Sequence, residues 1–179
     1  CAQSLALRLV RELELAEEPV ETSRPDNAAE VHLPFVRHFF PRAELLMLGV
    51  AAGAVSERIG AAVGAACTDR ATVFVGSTDL THYGPSYGFV PHGIGEGPVD
   101  WVRNENDRGF VDAVLAFDSG ALLTHAQERH SACCPGAVAA TLRAIDAYGA
   151  HEAPQLVDHY TSFDVTPSNS FVGYAGIVL

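Results

Sequence analysis

Apolar positions recur along this chain at two spacings, and the change from one to the other marks where helix gives way to strand. Leu5, Leu9 and Leu13 stand at i, i+4 and i+8 and predict a helix over residues 4–13, blurred at its end by the ELEL step at 12–15. A polar connector with two prolines, EEPVETSRPDN, follows at 17–27. ELLMLGV (44–50) is then almost unbroken in its apolarity, which predicts a strand buried on both faces rather than one face. Helical spacing returns at 54–67, with Ile59, Val63, Ala66 and Cys67 on one stripe, and ATVFVGS (71–77) reads as a second buried strand. Strand, helix and strand in that order imply a right-handed parallel crossover.

The second half is punctuated differently. Residues 84–98 hold five glycines and three prolines among aromatics, the composition of a long functional loop. Helices are expected near 105–117 and 119–128, the latter capped by Asp118 or Ser119. Another is expected over 135–149, with Pro135 in its first turn, Val138, Leu142 and Ile145 on one face and Gly149 at its stop. Strands near 155–163 and 171–179 close the chain. The whole predicts an α/β fold in which a mixed, largely parallel central sheet is flanked by helices, formed as a single domain over residues 1–179.

Charge and cysteine usage narrow the partners. The 22 acidic residues outnumber 11 Lys and Arg, giving a formal net charge of −11, and the basic residues form no cluster. That weighs against nucleic acid and anionic membrane, both of which select positive patches. Charges interrupt the apolar run in CAQSLALRLVRELEL, so a signal peptide is not expected. The cysteines at 1, 67, 133 and 134 form no CxxC pair, and a reducing cytoplasm fits them. Met47 is the single methionine, so Cys1 fits a removed initiator, a cleaved precursor, a split subunit or a trimmed chain.

Two short segments carry candidate chemistry. GSTDLTHYG (76–84) follows the second expected strand, where open α/β sheets bind ligands. Asp79 and His82, three residues apart in a turn, can converge, the carboxylate orienting the imidazole for acid–base work or metal binding. The competing reading is a turn-capping Asp79 and a packed core His82. HSACCPGAV (130–138) sets Cys133 and Cys134 ahead of a helix start, whose positive end favours a thiolate. Here the competing reading is a buried structural cysteine pair. His32 and His38 flank an aromatic stretch and suit core-edge packing, and His92 lies in the glycine-rich loop with no fixed direction. His125, His130, His151 and His159 have no ligand-like spacing. GxSxG, HExxH and phosphate-cradling loops are absent from the sequence.

Four blocks, NAAEVHLPFVRHFFP (27–41), GSTDLTHYG (76–84), ACCPGAVAATLRAI (132–145) and SNSFVGYAGIVL (168–179), resemble those of the Memo family in order and spacing. That fold is in turn similar to the class III, non-haem iron extradiol dioxygenases. The resemblance implies that Asp79 and His82 line the pocket and that Cys133, set by the spacing back from Ile145, is the metal-binding cysteine. It also implies two partner histidines from an N-terminal segment outside this chain, and a family histidine ahead of the LP block is replaced by Asn27. This chain is thus expected to be the C-terminal part of a Memo-like fold, completed by an N-terminal segment or a partner chain. Alternatively, its lineage has abandoned the metal, or it has rebuilt its site from its own residues, with His32 and His92 the first to consider.

The expected function is a metal-dependent oxidoreductase, related to dioxygenases, acting on a small-molecule substrate. Iron (Fe2+) is the expected metal and copper the alternative, because thiolate and imidazole suit them better than Mg or Ca. Cys133 and His82 would bind it, with Asp79 and His82 in catalytic roles. Two rivals stand beside this: a thiol hydrolase or transferase with Cys133 as nucleophile and His82 as base, and a non-catalytic binding module on the same fold.

Overall fold

In the computed structural model, which describes residues 2–17, 26–149 and 152–179, helices carry most of the order. Cys1, residues 18–25 of the connector and His151 lie outside the described residues. The helices are α1 (Ala2–Leu13), α2 (Asn27–Glu30), α3 (Leu33–Phe39), α4 (Ala54–Ala66), α5 (Gly97–Trp101), α6 (Asp107–Leu115), α7 (Ser119–Arg129), α8 (Pro135–Tyr148) and α9 (Ser162–Val165). The strands are β1 (His82–Tyr83), β2 (Gln155–Thr161) and β3 (Phe171–Val178).

Helices appear where apolar period and capping agree. Leu9 and Leu13 of α1 are buried against Ile59 and Ala66 of α4. Asp118 caps α7, its carboxylate accepting from the Ala121 N–H at 2.8 Å. α8 ends at Gly149, which takes up the left-handed backbone at φ 82° that a C-terminal stop requires. The helix expected from 105 instead begins at Gly97 and runs through a π-helical turn, Val102–Asn106, into α6. That wider turn brings Asn106 and Asp107 into the interior, where both are buried.

The sheet departs from expectation. Its order is β1-β3-β2 and every pairing is antiparallel, from His82↔Val172 to Gln155↔Val178. The largely parallel central sheet is therefore corrected to a small three-stranded antiparallel one, with no parallel crossover among the described residues. Segments 44–50 and 71–77 form no ladder, because a strand needs a hydrogen-bonded neighbour and neither has one among the described residues. Their side chains still alternate. Leu46, Leu48 and Val50 turn towards α1 and α4, while Leu45, Met47, Val73 and Val75 stay 48–78% exposed.

Small residues seat α8. Gly60 and Gly64, one turn apart on α4, face the backbone of Ala140 and Ala144, and a Cβ on either glycine would collide with the facing carbonyl oxygen. Behind α8, Leu142 and Ala139 join Phe110, Val111, Val114 and Leu122 in the largest apolar cluster, which also receives Leu80 from the segment leading to β1.

Gly→Ala in a helix ordinarily gains up to about 1 kcal/mol, and this seam should reverse the sign. Gly60→Ala and Gly64→Ala are each expected to lose about 1–3 kcal/mol by overpacking against backbone that cannot yield. Gly120→Ala, at an exposed position of α7 where a Cβ meets only an ordinary contact, should be neutral or stabilising. Urea denaturation of the three variants measures the contrast.

Candidate functional site

Behind the segment Asp79–His82 lies a buried polar group. The Thr81 N–H and hydroxyl donate to Asp107 Oδ1 at 3.0 and 2.5 Å, and His159 Nε2 lies 3.4 Å from Asp107 Oδ2. Asn106 Nδ2 donates to Thr81 Oγ1 at 2.9 Å and to the Arg129 carbonyl at 3.1 Å. Gly173 of β3 leaves room for the Asp107 carboxylate, which any Cβ there would strike. Backbone bonds from Leu80 N–H to Gly173 O and from Gly173 N–H to Thr81 O, both 3.0 Å, complete the clamp. Thr81 is thus held inward while its neighbours Asp79 and His82 remain half-buried.

His82 opens a short strand rather than lying in a helical turn, yet its side chain meets Asp79 as the three-residue spacing suggests. His82 Nε2 lies 3.1 Å from Asp79 Oδ2. The ring packs on Tyr87 at 4.8 Å between centroids. Neither residue is core packing: the side chains are 34% and 47% exposed.

The cysteines are stitched onto this segment through backbone. Cys133 N–H donates to the Asp79 carbonyl at 3.1 Å and Cys134 N–H to Thr78 Oγ1 at 2.9 Å. Gly76, where a Cβ would strike Thr141 of α8, lets this segment lie close against the helix that follows the cysteines. The result gathers one ligand atom each from Asp79, His82 and Cys133, all within 4.8 Å of one another. Both cysteines are exposed, so the buried-pair reading fails for them, whereas Cys67, on the α4 stripe, is buried. Desolvation of the part of Cys134 that is covered, together with contact with the Cys133 sulfur, pushes its thiol up to about 11. That shift disfavours the thiolate of Cys134.

An open cleft of about 510 Å³ adjoins these residues, bounded by His82, Cys133, Tyr87, Phe89 and His130. The loop 84–98 does wall it, through Tyr87 and Phe89. Gly84 makes that wall possible: at φ 116° it packs so tightly on Ser170 that no Cβ fits. On β3, the Tyr174 phenol is pushed up by burial and by the charge of Asp79. Of the other histidines, His32 Nε2 contacts Ser77 Oγ at 3.2 Å and His92 packs on Trp101 at 4.2 Å. Neither joins the donor group.

His130 is the residue that the spacing argument missed. It ends α7 at φ 53°, a left-handed conformation uncommon outside glycine. Its neighbours hold it there: the Arg129 carbonyl accepts from Asn106, and buried Ser131 Oγ lies 2.8 Å from His125 Nδ1. The ring stands edge-on to Phe89 at 5.4 Å. A histidine where a helix stop would admit glycine is the one sequence signal that points to it.

A model of the Memo-like protein family matches residues 2–178. MEMO1 family proteins of Thermococcus onnurineus, Pyrococcus abyssi and Pyrococcus horikoshii are 32%, 31% and 33% identical to this chain over 163, 185 and 165 residues. Those matches cover 86%, 98% and 86% of this chain but 56%, 63% and 56% of the relatives, so it spans about three-fifths of their length.

Two outcomes test how the cleft is built. His130→Gly keeps the backbone at φ 53° without strain and should gain up to about 1 kcal/mol, whereas His130→Ala should not, as urea midpoints will show. Burial, with the Arg129 charge second, holds His125 below its ordinary value of 6.5. The unfolded chain therefore takes up this proton first, and stability falls as pH drops from about 6.5 through the lowered folded value. Comparing wild type with His125→Gln at about pH 7.5 and about pH 5 should show a smaller acid loss in the variant.

Proposed function

The chain belongs to the Memo-like family, and on that premise we propose that Asp79, His82 and Cys133 hold a transition-metal ion in an oxidoreductase acting on a small molecule in the cleft. Iron(II) is the preferred metal and copper the alternative. The carrying observation is the convergence of three donors, within 4.8 Å of one another, from segments 51 positions apart (133 − 82). The 3.1 Å between His82 Nε2 and Asp79 Oδ2 suits two adjacent donors on one ion as well as it suits a hydrogen bond. N and S donors at about 2.1 and 2.3 Å from one ion are separated by at most about 4.4 Å, so binding draws the group inwards. A carboxylate, a thiolate and a neutral imidazole carry two negative charges, matching a divalent ion. The mix of O, N and S donors suits iron or copper and not magnesium or calcium.

Bound there, such an ion supplies redox chemistry and Lewis acidity to a ligand at its open positions. The chain's own residues do the rest. Thr81, locked on Asp107, sets the spacing between Asp79 and His82. Tyr87 covers the His82 ring and Phe89 gives the cleft an apolar wall that limits water. His130, directed into the cleft, is the imidazole available to accept or return a proton there.

The remainder of the site is proposed to come from polypeptide outside this sequence, as an upstream segment or a partner chain carrying the two histidines that the resemblance implies. Support comes from the share of the relatives that this chain spans and from the outward apolar row at Leu45, Met47, Val73 and Val75. Strands paired along the edges of 44–50 and 71–77 would supply their missing hydrogen-bonded neighbours, and an element packed over their outer face would cover that row. Thiol catalysis is served less well. The close polar neighbours of the Cys133 sulfur are Thr78 Oγ1 at 3.7 Å and Cys134 Sγ at 3.6 Å, and no base among the described residues stands within hydrogen-bond reach.

Cobalt(II) added to the reduced protein should produce a near-ultraviolet thiolate band. Cys133→Ser should abolish it, and His82→Ala and Asp79→Asn should weaken affinity by about 10- to 100-fold or more. Cys134→Ser should keep it. A band that follows Cys134 instead, or none in wild type, overturns the assignment. Metal analysis of anaerobically purified protein then separates iron from copper.

A further inference from the structure

Two features of the cysteine pair are unused by the function above. Cys133 and Cys134 are both exposed, and their Sγ atoms stand 3.6 Å apart. We propose that this pair is a modification site, in which a hydroperoxide joins the two sulfurs in a reversible vicinal disulfide and so withdraws Cys133 from Asp79 and His82.

The approach required is small. A disulfide is about 2.05 Å long, so the sulfurs close by about 1.5 Å. Both side chains are exposed and can turn about their χ angles without displacing core. The flanking backbone is anchored, because each N–H is tied to the facing segment, Cys133 to the Asp79 carbonyl and Cys134 to Thr78 Oγ1, so the distortion of ring closure falls on the peptide between them. Cys67 is buried in the α4 region and does not compete.

The bond so formed is a poor permanent cross-link and a good reversible one. Adjacent Cα atoms are about 3.8 Å apart across a trans peptide, short of the roughly 4.4–6.8 Å found in ordinary disulfides. The strain raises the reduction potential and leaves the bond open to thiol reductants.

Electrons and atoms balance with one hydroperoxide. One thiolate attacks a peroxide oxygen, the O–O bond breaks, and a sulfenic acid forms with release of hydroxide, or of alkoxide from an organic peroxide. The second sulfur attacks the sulfenic sulfur. The S–S bond forms, the S–O bond breaks, and the hydroxyl leaves with the thiol proton as water. Two electrons pass from the sulfurs to the peroxide, and two equivalents of an external thiol return them.

The loss of metal binding rests on the metal reading above, whereas formation of the disulfide does not. Both are tested in a chain with Cys1→Ser and Cys67→Ser, treated with hydrogen peroxide and read by intact mass. The expected product is lighter by two hydrogens, resists alkylation until dithiothreitol is added, and forms at a rate independent of protein concentration. Adding Cys134→Ser should divert the same dose to oxygen adducts on Cys133. Oxygen adducts in the parent chain, or a disulfide-linked dimer, overturn the proposal. Cobalt(II) provides the second readout: its thiolate band should vanish on oxidation and return with dithiothreitol. A band that survives a mass-verified disulfide overturns the withdrawal of Cys133. Failure of the reduced chain to bind cobalt at all removes the metal reading and leaves the disulfide standing on its mass.

Discussion

The carboxylate of Asp107 is fully buried, and the geometry of the site follows from how that charge is satisfied. A buried charge is tolerated only when its oxygens are hydrogen-bonded. Here the donors are the N–H and hydroxyl of Thr81, with His159 beside the second oxygen. These come from two places distant in sequence, the segment before β1 and strand β2, while β3 contributes the space above Gly173. One group thus holds a helix start, two strands and the Asp79–His82 segment in register. Charge-assisted bonds of this kind are about twice as strong as neutral ones, which suits a segment whose candidate side chains, Asp79 and His82, are themselves half-exposed.

The thiol reaches the site by a different route. Cys133 and Cys134 are positioned by main-chain bonds to residues 78 and 79, so side-chain substitutions in the pair leave the bridging N–H groups intact. Behind them, α8 is seated on α4 through glycine and alanine, which lets two backbones approach closely and leaves little freedom to slide. Carboxylate, imidazole and thiol therefore meet because a buried polar clamp and a dry helix seam each fix one side of the cleft.

Helices were legible in the sequence because they satisfy their backbone internally, so apolar period and caps suffice. Leu9 and Leu13 and the Asp118 cap are cases where local pattern and final structure agree. Sheet is a relation between segments, and a single segment cannot declare it. ELLMLGV and ATVFVGS carry the composition of buried strands, and their side chains do alternate, but no neighbour among the described residues completes a ladder. The pairing that does form, β3 between β1 and β2, joins residues about 90 positions apart at His82↔Val172. At the candidate site, Asp79, His82 and the cysteine pair stood out by residue type and short spacing, while the choice of Cys133 over Cys134 came from the family resemblance; the three donors do converge. His130 did not stand out, since its place depends on a left-handed helix stop held by Asn106 and His125, and residues 105–131 show no spacing that would announce it. Asp107 was likewise invisible, looking in sequence like any acidic residue near a helix start.

The π-helical turn at Val102–Asn106 makes the number of residues in that stretch matter as much as their identity. Each residue added to or removed from a helix rotates everything beyond it by about 100°. Taking one residue out between Trp101 and Asp107 would regularise the helix and leave α6's apolar stripe intact as a pattern. Yet the phase between α5 and α6 would be lost: either Val102 and Val99 leave their aromatic neighbours, or Asp107 swings away from Thr81. In comparisons among relatives, a one-residue gap here therefore signals a rearranged site more strongly than most substitutions would.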